Sequence, residues 1–197
     1  KGCHAAMPEK GADPIVAAAQ LILALQTITS RRLSPLDSAV ISVTQINAGE
    51  AINVIPQTAV LKGTVRCLQT PVRDTVQQLI SEFVTQLPVA FGIYGELDYH
   101  VGYPVTENHP DAALAVRRAA VTAVGESKVQ WGCNPSMASE DFSFMLKACP
   151  GAYLWMGVDG EQPSAALHNP YYDFNDQVIE PGVAIWTQLV EQSLPAI

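Results

Sequence analysis

Between Ile15 and Ile28 apolar residues recur at three- and four-residue intervals (Ile15, Ala18, Ala19, Ile22, Leu25, Ile28), behind Asp13 and Pro14 and ahead of Arg31 and Arg32. An Asp followed by a proline is a favourable helix start, because the carboxylate accepts a free N–H of the first turn and the proline has none to satisfy. The spacing predicts a helix over 13–32. From Ser38 to Gln45 the pattern changes: Val40, Val43 and Ile46 stand among polar neighbours, which reads as a strand, and Asn47, Ala48 and Gly49 punctuate it. After Pro56 and Gln57 a second alternating run covers 59–68, and the two strands are expected to pair. Thr70 and Pro71 open another helix with Val72, Val76, Leu79, Ile80, Phe83 and Leu87 on one face, closed by the glycines at 92 and 95 before a strand expected at 96–103.

The order is thus helix, strand, strand, helix, strand. With one further strand before Lys1 it would be a split βαβ sandwich of four strands with both helices on one face. Two prolines and three polar residues interrupt the pattern over 103–110, so a domain boundary is expected there. Beyond it the pattern predicts helices at 110–124, 139–148 and 181–194 and a buried strand at 151–157. This second part is too small and strand-poor to read as a complete domain. The fold class expected for the whole is α/β, of the α+β kind.

Composition narrows the reading. The chain has 197 residues, 48% hydrophobic, enough to form a core and to exclude disorder. Eleven Lys and Arg against nineteen Asp and Glu give a formal charge of -8, which disfavours nucleic acid as a partner. No apolar run approaches the ~20 residues that span a bilayer, so no membrane partner is expected. Cys3, Cys67, Cys133 and Cys149 are widely spaced with no CxxC pair, which makes reduced thiols and a cytoplasmic location the expectation. The chain starts at Lys1, inside what reads as a motif, and is expected to be part of a longer polypeptide.

Few side chains offer chemistry. Of four histidines, His100 and His109 read as surface residues. His4, in KGCHAAMP, and His168, in ALHNPYYDFND, lie among small residues and turn formers that expose an imidazole, and each reads either as a surface residue or as a ligand. Asn53 reads as turn chemistry and Arg66 as a solvated side chain. A second reading of the pair is open: a planar guanidinium matches a carboxylate and an amide can bridge a carbonyl, so with a histidine they could hold an acyl amino acid. In SMASEDF, Ser139, Glu140 and Asp141 cap and charge the start of a helix. A hydrolytic Ser-Glu-Asp site would need a histidine base within reach.

The strings KGCHAAMPEKGADPIVAAAQLILALQTI, VTQINAGEAINVIPQTAVLKGTVR, MASEDF and LHNPYYDFND, in this order, closely resemble the metal-dependent amidohydrolases of peptidase family M-twenty. The branch resembled contains hippurate hydrolases, N-acyl-amino-acid amidohydrolases, indole-acetyl-amino-acid hydrolases and thermostable carboxypeptidases. The likeness covers nearly the whole chain, and four motifs in order are far more specific than one.

The resemblance implies a ferredoxin-like lid, or dimerisation, domain inserted into a di-metal α/β catalytic domain. Residues 1–104 look like the lid without its first strand, and 105–197 like the C-terminal portion of the catalytic domain. The N-terminal portion, which in the family carries most metal ligands and the general-base glutamate, has no counterpart here. His168 matches a metal-ligand position. His4 matches a catalytic position that reaches into the partner subunit's active site, and Asn53 and Arg66 match substrate-binding positions. Glu140 matches a motif position near the metals and is assigned a place behind the ligands. The activity implied is cleavage of the amide bond of N-acyl amino acids, or of C-terminal residues from short peptides. A succinyl-diaminopimelate desuccinylase, a dipeptidase and a non-catalytic dimerisation module stay open beside it. Two divalent ions, zinc or manganese, are implied for the intact enzyme, with at most one bound weakly by this chain, and a homodimer through the lid. Two departures stand out: Cys3 replaces the usual glycine and is expected to be a small buried thiol, and Ser139 replaces an alanine or glycine.

Overall fold

The computed structural model describes residues 1–160 and 165–194. They form two compact units, one of residues 1–105 with 136–138 and one of 106–135 with the residues from 139 onward. The molecule mixes helices with small antiparallel sheets.

In the first unit, Asp13 caps helix α1 (Pro14–Thr27), its Oδ1 accepting from the Ile15 N–H at 2.8 Å, with Pro14 in the first turn. The helix does not run on regularly to 32: residues Ile28–Arg32 wind as a π-turn. The cause lies in the hydroxyl cluster there. Thr27, Thr29 and Ser30 donate back to the carbonyls of Ala24, Gln26 and Gln26, competing with the regular ladder. The buried face is also displaced from the expected one. Pro14, Ala17, Ala18, Leu21 and Leu25 are buried, whereas Ile15 is exposed. PIVAAAQLILALQT is apolar on almost every side, so periodicity alone does not select a face.

Strands β2 (Ala39–Ala48) and β4 (Ala59–Cys67) pair antiparallel from Ala39 opposite Cys67 to Ala48 opposite Ala59, with an irregularity between Val43 and Gln45. A short second sheet joins β1 (Cys3–His4) to β3 (Val54–Ile55). Helix α2 (Thr70–Gln86) buries Val72, Val76, Leu79, Ile80 and Val84, with Phe83 and Leu87 packed beside them. Its charged positions fall on the other side, which is why its face was legible. The core gathers Leu21, Leu25 and Ile28 with Ile41 of β2 and the α2 residues. Gly92 takes a left-handed φ of +70° and turns the chain out of the helix. At Gly95 a Cβ would run into the Val84 carbonyl oxygen.

The strand expected at 96–103 is not part of any sheet. Leu97 and Tyr99 pack against the core while Glu96, Asp98 and His100 are exposed, so the side chains alternate as in a strand. Its backbone has no ladder partner among the described residues, and pairing rather than alternation defines a strand.

The second unit contains α3 (Pro110–Val124), α4 (Phe142–Ala148) and α5 (Ile179–Ser193), with α3 and α5 packed together. Helix α4 begins three residues later than the expected 139. Its N-cap, Asp141, makes no side-chain cap bond. The segment 151–157 is neither a paired strand nor buried: Trp155 is exposed and its neighbours are half-buried or exposed. No helix among the described residues is long and apolar enough to cross a membrane.

Candidate functional site

His4 ends β1 opposite Val54, and the Ala5 N–H donates to the Asn53 carbonyl at 3.0 Å. The short sheet thus brings the His4 and Asn53 backbones side by side, and both residues are exposed. The Ala6 N–H donates to Nδ1 of His4 at 3.0 Å. That bond assigns Nδ1 as the acceptor, so in the neutral ring the proton resides on Nε2. The result is an exposed imidazole whose N–H faces away from its own backbone. Beside it Cys3, expected as a small buried thiol, is a free thiol only half-buried. Its space is left by Gly11, where a Cβ would stand 2.5 Å from the Cys3 sulfur.

Arg66 lies near the end of β4, opposite Val40 of β2, and is exposed. It belongs to the other sheet, and among the described residues no hydrogen bond or ion pair joins it to His4 or Asn53. The backbone therefore brings together two of the three lid residues singled out and leaves the third apart.

In the second unit His168 has φ +68° and is exposed. It occupies the left-handed position of a turn closed by the Asn169 N–H donating to the Ala166 carbonyl at 3.0 Å. The Asn169 side chain accepts from the Tyr171 N–H at 2.9 Å and holds the next turn. Such a conformation costs a non-glycine residue about 1–3 kcal/mol and collects at functional sites. The loop holds the imidazole in open solvent at a backbone geometry that a histidine does not adopt freely.

Glu140 stands at the start of α4 as expected, its carboxylate among the N–H groups of Asp141 and Phe142. Its Oε2 accepts from the Tyr153 hydroxyl at 2.9 Å and its Oε1 from the Asp141 N–H at 3.0 Å. The Tyr153 bond, then the bonds from Asp141, hold the Glu140 carboxyl below the usual carboxylate range. The same bond raises the Tyr153 hydroxyl. Tyr153 is in turn fixed at both backbone groups by Asn108, whose Nδ2 donates to the Tyr153 carbonyl at 2.8 Å and whose Oδ1 accepts from the Tyr153 N–H at 2.7 Å. Its ring meets Phe142 at 5.7 Å and Trp155 at 5.5 Å. Sequence reasoning missed Asn108 and Tyr153. The available signal was a single hydroxyl in the apolar run AYLWM, twelve residues after the nearest preceding acidic residue, Asp141.

Among the described residues no three His, Cys, Asp or Glu side chains converge where a metal ion could sit. His168 fits as one imidazole donor, and a four-coordinate ion needs further donors.

The family model described as Peptidase family M20/M25/M40 matches residues 6–192. The N-acetyl-L-cysteine deacetylase of Bacillus subtilis is 40% identical over 180 residues, covering 91% of this chain and 42% of the relative. The hippurate hydrolase of Campylobacter jejuni is 36% identical, covering 96% and 49%. The chain thus spans about half the length of the curated relatives it matches. Among solved structures, a candidate aminohydrolase from methicillin resistant Staphylococcus aureus superposes with a TM-score of 0.80 at 27% identity, over 98% of this chain and 49% of that one. A Bacillus subtilis dinuclear metal binding peptidase does so with a TM-score of 0.72 at 28% identity, over 94% and 48%.

Proposed function

Because the chain belongs to the peptidase family M20/M25/M40, we propose that it forms the lid and the C-terminal part of the catalytic domain of a metal-dependent amidohydrolase acting on N-acyl amino acids or short peptides. The observation that carries this reading is His4, an exposed imidazole whose Nδ1 is engaged by the Ala6 N–H, leaving Nε2–H to donate outward. The deacetylase and hippurate hydrolase named for the relatives support the substrate class.

In this reading His4 donates from Nε2 to the scissile carbonyl oxygen as it gains negative charge, a contact worth most where charge develops. Arg66 receives the free carboxylate of the amino-acid half through its planar fork, and Asn53 bridges a neighbouring carbonyl. Both orient the substrate without taking part in bond cleavage. His168 would supply one ligand, and two divalent ions, zinc or manganese, would when bound activate water and polarise the carbonyl. Glu140, pinned by Tyr153, holds its charge behind that position. The chain alone would bind at most one ion weakly. The unpaired outer edge of β2 would join two lids into a homodimer, across which His4 serves the partner's site.

The test is a chimera in which this chain replaces the matching segment of the Bacillus subtilis deacetylase. His4→Ala should lower kcat by ~10²- to 10³-fold with KM little changed. Arg66→Ala should raise KM by about one to two orders of magnitude for substrates with a free carboxylate and leave the corresponding amides nearly unaffected. Turnover by the isolated chain, or an Arg66 effect equal on both substrates, would count against these assignments.

A further inference from the structure

The surface beside His4 is apolar. The Val54 N–H donates to the Ala51 carbonyl at 3.3 Å and closes a turn whose two central residues are Ile52 and Asn53. Turns favour glycine, proline, asparagine, aspartate and serine; Asn53 follows that rule and Ile52 breaks it. Ile52 is also the most exposed large apolar side chain among the described residues, so folding leaves its surface in water and gains nothing from it. Val54 pairs directly with His4 across the short sheet and is about half exposed. Cross-strand partners project from the same face, with Cβ atoms about 4.5–5.5 Å apart. An exposed apolar side chain therefore lies against the imidazole and a second lies two residues away, and neither belongs to the core cluster.

We infer that Ile52 and Val54 are specificity-determining residues, which pack against an uncharged, apolar acyl group of the substrate while His4 engages its carbonyl oxygen. The inference rests on the roles proposed above for His4 and Arg66. In that reading the carbonyl taken by His4 belongs to the acyl group, whereas the carboxylate of the amino-acid half goes to Arg66 on the other sheet. The substituent left beside Ile52 and Val54 is the acyl chain. Apolar side chains there favour an apolar substituent, because a charged one would lose water without gaining a partner. Glu50, exposed and two residues before Ile52, puts a negative charge on the same loop and repels an acyl chain that ends in a carboxylate. An aromatic or branched acyl group is thus preferred over a small one, and an acidic one is disfavoured.

The test uses the chimera described above with N-benzoylglycine, N-acetylglycine and N-succinylglycine as substrates. Serine suits an exposed turn and threonine keeps a branched β-carbon in a strand, so Ile52→Ser and Val54→Thr should both fold, which circular dichroism checks. Ile52→Ser should lower kcat/KM for the benzoyl substrate by about tenfold, mainly through KM, and change the acetyl substrate by less than about twofold. Val54→Thr should act in the same sense by about threefold. Ile52→Lys should raise cleavage of the succinyl substrate relative to the benzoyl one. Leu36→Ser removes a comparably exposed apolar side chain from the segment before β2 and should leave all three substrates unchanged. A benzoyl-to-acetyl ratio unmoved in a folded, active Ile52→Ser chimera would overturn the inference and leave the proposed function standing. An equal shift from Leu36→Ser would also overturn it, as would an Ile52 effect that follows the amino-acid side chain, when leucine replaces glycine in the substrate, and not the acyl group. Cleavage of none of the three by the unsubstituted chimera would overturn the proposed function and this inference with it.

Discussion

The unit of residues 1–105 gathers nine buried apolar side chains into one cluster, with Ile28 and Val76 wholly inaccessible. Among the described residues, the buried apolar side chains of the unit built on α3, α4 and α5 are Ala119, Ala120 and Ile185. Along α5, Ile179, Val183, Trp186 and Val190 are all more than half exposed at spacings of four, three and four residues. The same unit also buries the Ser143 hydroxyl and the Arg117 Nε without hydrogen-bond partners among the described residues, each a cost that packing must offset. A core stabilises in proportion to the apolar area it removes from water. Two units of one chain can therefore share helix-forming sequence and differ widely in what holds them together.

The largest effect that would test this contrast is at Ile28. Its truncation, Ile28→Ala, should destabilise the first unit by about 2–5 kcal/mol, because a fully buried side chain loses its packing and leaves a cavity. Val183→Ala, on the exposed stripe, should stay within about 0.5 kcal/mol. All three tryptophans, Trp131, Trp155 and Trp186, lie in the second unit, so indole fluorescence follows that unit alone while far-ultraviolet dichroism follows both. In urea the fluorescence transition should come first, and Ile28→Ala should move only the later dichroism transition. Coincident transitions that shift together would show that the chain unfolds as one cooperative body.

A smaller effect concerns the Glu140–Tyr153 pair of the second unit. Glu140 is held below its ordinary range first by the Tyr153 hydroxyl, so its contribution is present above the unfolded carboxylate value of about 4.3 and is lost as pH falls through the lower folded value. Tyr153 is raised by the same bond. Its contribution is complete below the unfolded phenol value of about 10 and is lost as pH rises through the higher folded one. Tyr153→Phe should shift the Glu140 titration, followed by carboxyl NMR, back up toward the ordinary value. An unchanged titration would assign the depression to the Asp141 bonds instead.

These contrasts also explain what could be read in the sequence. Helix α2 was legible in extent and face because charged and apolar positions segregate along it. Helix α1 was legible in its start, through Asp13 and Pro14, but its face only in part: Ala18, Leu25 and Ile28 are buried while Ile15 and Ala19 are exposed, because almost every position is apolar. Its end was missed because three hydroxyls within four residues, Thr27, Thr29 and Ser30, redirect the last turn. The runs at 96–103 and 151–157 have strand-like composition, yet a strand is a relation between two segments, and neither has its partner among the described residues. At the site, each residue singled out was chosen by its local string. What the strings could not supply were contacts across distance: Asn108 bracing Tyr153, 45 residues on, or the Ala6 N–H choosing the tautomer of His4.

The smallest expected effect is in thiol reactivity. Cys133 and Cys149 are exposed and free, whereas Cys3 and Cys67 are half-buried. Cys67 ends β4 against the core, and burial pushes its thiol up, partly opposed by the nearby positive charge of Arg73. The thiolate is the reacting species, so at neutral pH Cys67 is hindered twice, by access and by the smaller thiolate fraction. A small alkylating reagent followed by peptide mass analysis should modify Cys133 and Cys149 several-fold faster than Cys67, with the difference vanishing in urea. The gap at Cys67 should narrow as pH rises, because the thiolate penalty shrinks while the steric one stays. Equal rates in the native chain would mean that the β4 end opens as readily as the loops of the second unit, and the difference in packing between the two units would then stop short of the edge where residues 96–102 and β4 lie unpaired.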